Sequence, residues 1–221
     1  MRIKEIHHGF ETIIKDGITK KVVCWYNGTC EVVYEKAANK ILNIPVSFFN
    51  SQYGVPISGD GKIVYVTSWE DGVFAYSVDT NELLWRYKST RIQDIVYRDD
   101  YIVVKKYGES IIKLNAKTGE LITLLKSTTI SSMYYLRDNY IFIEYYRGKL
   151  AVVDIDAMEV VKDYPAGAAR IVGYAHHCIQ EAYLKKNKLI VEGGMYNDVA
   201  KFFKEGKVIK FKIVLDDSMN L

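Results

Sequence analysis

At 221 residues the chain is long enough to bury a sizeable core in one all-β domain. Its 49% hydrophobic content and only 3 prolines exclude a linker-rich or disordered chain. A net charge of +3 without any dense Lys/Arg block argues against a nucleic-acid partner, and no apolar stretch is long enough to cross a membrane as a helix.

The chain opens Met-Arg-Ile-Lys-Glu-Ile-His-His, with no apolar run of signal-peptide length, so a soluble, cytoplasmic protein without a membrane partner is expected. Short runs rich in β-branched and aromatic residues then follow one another, separated by turn formers. The first group of four lies at 11–14, 21–24, 31–34 and 40–42, and the second at 54–57, 62–66, 72–76 and 82–85. The third lies at 94–97, 101–106, 110–114 and 120–125, the fourth at 132–135, 140–143, 149–153 and 159–161. The fifth is less regular, at 178–183, 188–191, 199–203 and 207–211. No run carries a convincing helical period. Cys24 and Cys30 lie on consecutive strands across the first predicted hairpin, which allows a cross-strand contact; with Cys178 they are too few and too irregularly spaced for a disulfide framework, and two core-filling thiols are expected.

One phrase recurs at the end of the groups. It reads Val73-Phe-Ala-Tyr-Ser-Val-Asp-Thr-Asn-Glu-Leu-Leu-Trp85, then Ile111-Ile-Lys-Leu-Asn-Ala-Lys-Thr-Gly-Glu-Leu-Ile-Thr123, then Leu150-Ala-Val-Val-Asp-Ile-Asp-Ala-Met-Glu-Val-Val-Lys162. Its anchors Leu83, Leu121 and Val160 stand 38 and 39 residues apart, a period that fits four short strands with their turns. Five such groups, over residues 10–45, 53–88, 92–126, 131–164 and 176–214, predict an all-β single domain: a β-propeller of five four-stranded antiparallel blades, in which radial repetition protects the sheet edges.

The phrases at 75–85 and 114–121 resemble those of pyrroloquinoline-quinone-like and WD-type propeller repeats, where an acidic or polar turn leads to Thr-Gly, Glu-Leu and Trp. The resemblance implies the propeller fold. Quinone dehydrogenases of that kind carry adjacent cysteines, which this chain lacks, so no cofactor is expected.

In such a fold the hairpins between second and third strands share a face with the blade-to-blade connections, and loops there carry function. Each of the five hairpins holds aromatics: Trp25 and Tyr26, Trp69, Tyr107, Tyr145 and Tyr146, and Tyr196. Asn27-Gly28 and Asp71-Gly72 are tight-turn signals. Aromatics with a polar handle are enriched at protein interfaces. A protein partner binding these residues and the 166–178 insertion is therefore the leading expectation, weighed against plain cross-strand packing of the same rings.

The inner strands are expected to line a narrow central channel with Gln93, Asp94, Ser132, Gln180 and Glu181, which could hold a small polar ligand or only ordered water. The pairs His7, His8 and His176, His177 would meet if the first and fifth groups close the ring, offering zinc-type ligands together with Cys178, Glu5 or Glu181. Their spacing matches no established zinc motif. No nucleophile elbow, phosphate loop or guaranteed carboxylate pair is present, so the sequence leaves enzyme status open and weighs against it. Two alternatives stand beside the non-enzymatic scaffold: a lectin-like propeller binding sugars on its aromatic loops, and a metal-dependent hydrolase or lyase at the closure of blades one and five.

Overall fold

The computed structural model describes residues 2–6, 9–14, 17–45, 55–126, 130–137, 139–145, 149–164, 176–185, 188–196 and 209–215. Every regular element among them is a strand, and every strand pairing is antiparallel. The chain divides into two compact units, Met1–Thr128 and Thr129–Leu221.

In the first unit, β1 (Arg2–Ile6), β2 (Gly9–Ile13), β3 (Thr19–Trp25), β4 (Thr29–Tyr34) and β5 (Lys40–Asn43) form one sheet in chain order. The first copy of the repeat thus has five strands, because β1 adds itself beside β2. The second sheet contains β6 (Ile63–Ser68), β7 (Gly72–Ser77) and β8 (Leu83–Tyr87). The described part of its predicted innermost strand follows β6 through an Ile57–Val64 bridge, with the Tyr65 amide on the Pro56 carbonyl and the Ser58 amide on the Ile63 carbonyl. Pro56 has no N–H to give, so a regular ladder cannot continue there. The third sheet, β9 (Ile92–Arg98), β10 (Tyr101–Lys106), β11 (Ser110–Asn115) and β12 (Leu121–Lys126), is the predicted four-stranded meander.

The second unit begins with a matching four-stranded sheet of β13 (Ile130–Arg137), β14 (Tyr140–Tyr145), β15 (Leu150–Asp154) and β16 (Glu159–Tyr164). It continues with a three-stranded sheet of β17 (His176–Lys185), β18 (Lys188–Tyr196) and β19 (Ile209–Leu215). The strand expected at 199–203 lies outside the described residues. Beside β18 runs β19, which begins inside the run predicted as that copy's fourth strand.

The recurring phrase encodes one turn. Its first polar residue accepts from backbone amides ahead of it: Ser77 Oγ from Thr80 N, Asn115 Oδ1 from Lys117 and Thr118 N, and Asp154 Oδ1 from Asp156 and Ala157 N. Four residues on, the chain turns left-handed, at Asn81 (φ 58°), Gly119 (φ 72°) and Met158 (φ 54°). Past each turn the register shifts, so that the ladder opposite Ala75–Tyr76, Lys113–Leu114 and Val152–Val153 skips Leu84, Ile122 and Val161. Strict alternation would bury one residue of each apolar pair. The bulge breaks it, so Leu83 and Leu84, Leu121 and Ile122, and Val160 and Val161 are all exposed on outer strands.

Two buried clusters hold the first unit together. One joins Val22, Val32, Leu42 and Ile44 to Val55, Val64, Val66 and Phe74, between the first and second sheets. The other joins Tyr65, Val73 and Trp85 to Ile95, Ile102, Val104 and Leu114, between the second and third. Cys24 and Cys30 belong to the first cluster and form a disulfide, which corrects the expectation of two free thiols. The register of β3 on β4 sets them directly opposite, with Cα atoms 4.2 Å apart.

Candidate functional site

The β6–β7 hairpin is shaped by Gly72, at φ 108°, where a Cβ would stand 2.0 Å from the Tyr87 carbonyl oxygen, so no other residue fits. Asp71, beside it, donates its amide to Ser68 Oγ at 3.2 Å and binds the Arg86 guanidinium through its carboxylate at 3.0 Å. This hairpin presents Trp69. The corresponding β10–β11 hairpin presents Tyr107.

The connection between β8 and β9 ties the two hairpins to each other through Arg91. Its amide donates to the Trp69 carbonyl at 2.5 Å, and its own carbonyl accepts from the Tyr107 amide at 2.8 Å. To make both bonds, Arg91 takes φ 61°, a conformation that costs a side-chain-bearing residue about 1–2 kcal/mol. The Arg91 guanidinium reaches the Glu109 carboxylate at 3.5 Å, and Lys106 Nζ lies 2.7 Å from the same carboxylate. Under this stitching the Trp69 and Tyr107 rings meet with centroids 5.7 Å apart and planes at 50°, a tilted contact of the favourable kind. Tyr107 remains 40% exposed.

Trp69 and Tyr107 are thus the two predicted contact aromatics that the structure brings together among the described side chains. Trp25 ends β3, half-buried, and Tyr26 stands exposed in a turn closed by the Gly28 amide on the Trp25 carbonyl. Tyr145 ends β14 with Lys149 Nζ 5.4 Å from its ring centre, and burial raises its hydroxyl pKa. Tyr146 and the 166–175 part of the insertion lie outside the described residues. Tyr196 closes β18 opposite His176, with its side chain likewise outside.

The predicted channel residues share a feature of register. On β9 the ladder passes from Asp94 to Ile92, leaving Gln93 as a bulge, and on β17 it passes from Ile179 to Glu181, leaving Gln180. Lys105 Nζ donates to Gln93 Oε1, while Asp94 lies directly across the ladder from Lys105; Asp94 and Lys105 are both buried. Ser132 pairs with Glu144 and Glu181 with Glu192 in register. His7 and His8 lie outside the described residues, and His176 and His177 are placed by backbone alone at the start of β17. Sequence reasoning missed Arg91, Lys106 and the triad of Tyr183, Glu192 and Lys212. In the triad, Glu192 accepts from Tyr183 at 2.9 Å and from Lys212 at 2.5 Å, the latter bond pushing the lysine up to about 12.

A family model of PQQ-like repeats, described as outer membrane protein assembly factor BamB, matches residues 39–174. No curated protein matches the sequence significantly. Among solved structures the chain is similar to BamB from Moraxella catarrhalis, with 12% sequence identity and a TM-score of 0.61. The similarity covers 91% of this chain and 62% of that one, so this chain spans less than two thirds of the BamB length. At that identity the likeness shows the fold alone, a PQQ-like propeller.

Proposed function

This chain belongs to the PQQ-like repeat family described as outer membrane protein assembly factor BamB, and from that premise we propose that it is a non-enzymatic scaffold that binds a protein partner through its hairpin face. The observation that carries the reading is the Arg91 stitch, which spends backbone strain to hold Trp69 and Tyr107 side by side and accessible. Rigid, amphipathic rings of this kind dominate protein interfaces. The family is described as an outer membrane protein assembly factor, which fits a partner that is itself a protein. We assign the remaining hairpins and the 166–178 insertion to the same face, in a ring of five blades.

The test is the double variant Trp69→Ala, Tyr107→Ala in affinity capture from native lysate. Neither ring belongs to a buried cluster, so the thermal midpoint should fall by no more than about 3 °C. Loss of the captured partner by a folded variant supports the reading. Retention of the partner by that folded variant removes it.

The Cys24–Cys30 disulfide bears on where this happens. Disulfides persist in oxidising compartments and are rare in the cytosol, so the bond supports an oxidising compartment over the cytoplasmic expectation. Thiol titration of unfolded chain isolated under alkylating conditions should return two fewer thiols before reduction than after; equal counts would restore the cytoplasmic reading.

A further inference from the structure

Next to the Arg91 stitch the first unit holds an open groove of about 570 Å³, within the range of ligand sites. Its apolar part is Tyr87 from the end of β8, facing Ile112 and Leu124 on β11 and β12. Its charged part is Lys106, Lys126 and Glu109. Glu109 already meets two cations, Lys106 and Arg91, while Lys126 has no ion partner among the described residues. The groove and its rim therefore carry more positive than negative charge, and an anionic occupant complements them.

The register of β11 on β12 gives that occupant a spacing. Ser110 pairs with Lys126, and two residues along on the same face Ile112 pairs with Leu124. A cationic step and an apolar step thus follow each other along the groove at a two-residue interval, about 6.7 Å in extended chain. β12 is also the open edge of its sheet.

We propose that this groove docks an extended acidic segment of the partner protein, in which a carboxylate residue stands two positions from a large apolar one. The carboxylate lies over Lys126 and Lys106, and the apolar side chain sits on Leu124 against Tyr87. The proposal rests on the scaffold reading and names the chemistry of the partner.

The probe is a fluorescein-labelled peptide, Asp-Ser-Leu-Ser-Asp-Ser-Leu-Ser, titrated with full-length protein by fluorescence anisotropy, beside controls with every Asp replaced by Lys or every Leu by Ser. The acidic alternating peptide should bind at least about tenfold more tightly than either control, and Lys126→Glu should weaken it about tenfold or more with an unchanged melting temperature. Equal binding of the leucine-free control would make the groove a simple anion patch and overturn the proposal, as would undiminished binding by Lys126→Glu. A captured partner that depends on Trp69 and Tyr107 but is indifferent to Lys126→Glu would overturn the groove while leaving the scaffold standing.

Discussion

The two junctions within the first unit are built from different materials. Between the first and second sheets the contact is mainly aliphatic, with Val22, Val32 and Leu42 on Val64 and Val66 beside Phe74 and Tyr76, and exposed polar links join Asn43 to Asn81 and Lys40 to Asp79. Tyr34 donates its hydroxyl to the Gly61 carbonyl at 2.6 Å, and the Val55 amide reaches Thr12 Oγ1 at 3.2 Å. Between the second and third sheets a similar aliphatic contact is joined by hydrogen-bonded rings, Tyr65 and Trp85. Trp85 Nε1 donates to the Ala116 carbonyl at 3.0 Å, Tyr65 reaches the same oxygen at 3.3 Å, and Tyr65 stacks on Tyr97 at 5.3 Å. An aliphatic junction fixes how much surface is buried; one with hydrogen-bonded rings also fixes how the sheets are oriented. The Arg91 stitch, half-buried Trp69 and exposed Tyr107 lie at the second kind of junction, where misorientation is least tolerated.

The largest effect should come from removing the ring that makes this difference. Trp85→Ala empties a buried site and orphans part of the Ala116 carbonyl, costing about 4 kcal/mol in urea unfolding. Gly119→Ala attacks the same contact from the other side. The added Cβ would stand 2.4 Å from the Trp85 ring at φ 72°, so a loss of about 3 kcal/mol is expected. In a Trp85→Ala background only the backbone term remains, about 1 kcal/mol. The double-mutant cycle should therefore show coupling of about 2 kcal/mol. Additive losses would mean that Trp85 and Gly119 do not act as a lock.

At the aliphatic junction the corresponding change should matter less. Tyr34→Phe keeps the ring and removes one hydroxyl bond to a buried glycine, a cost of about 1 kcal/mol. A loss equal to that of Trp85→Ala would erase the distinction between the junctions.

This lock explains why the fold was readable. The phrase ending in Trp85 and the one containing Thr118-Gly119 were recognisable because one supplies the ring and the other the surface it lies on, so both are constrained by the same contact. The strands of the third and fourth copies could be placed closely, since alternation and turn residues agree there. Legibility ended where a single position overrode the pattern. Pro56 thins the second sheet, the bulges at Gln93 and Gln180 shift which residue meets the ladder, and β1 extends a sheet that the period had already filled. Of the candidate site, the hairpin aromatics Trp69 and Tyr107 were visible from their turns. Arg91 was not, because a left-handed arginine in a connection leaves no sequence signature, and neither was the bond between Cys24 and Cys30, which depends on register and redox state.

The smallest effect distinguishes the junctions by pH. Burial, first of all, then the charges of Tyr97 and Asp60, raise the Tyr65 pKa far above its ordinary value near 10. The folded state thus keeps the neutral phenol. A raised acid pKa contributes stability that is complete below the unfolded pKa and is lost as pH climbs from there toward the folded one. Wild type should therefore lose roughly 0.8 kcal/mol through this residue by pH 10.5 and about 1.4 kcal/mol for each further unit. Tyr65→Phe, which forfeits the bond to the Ala116 carbonyl at neutral pH, should show a shallower alkaline decline, so the two stability curves converge above pH 10. Parallel curves from pH 8 to 11 would mean that the Tyr65 hydroxyl meets water, and the aromatic junction would then be no drier than the surface around it.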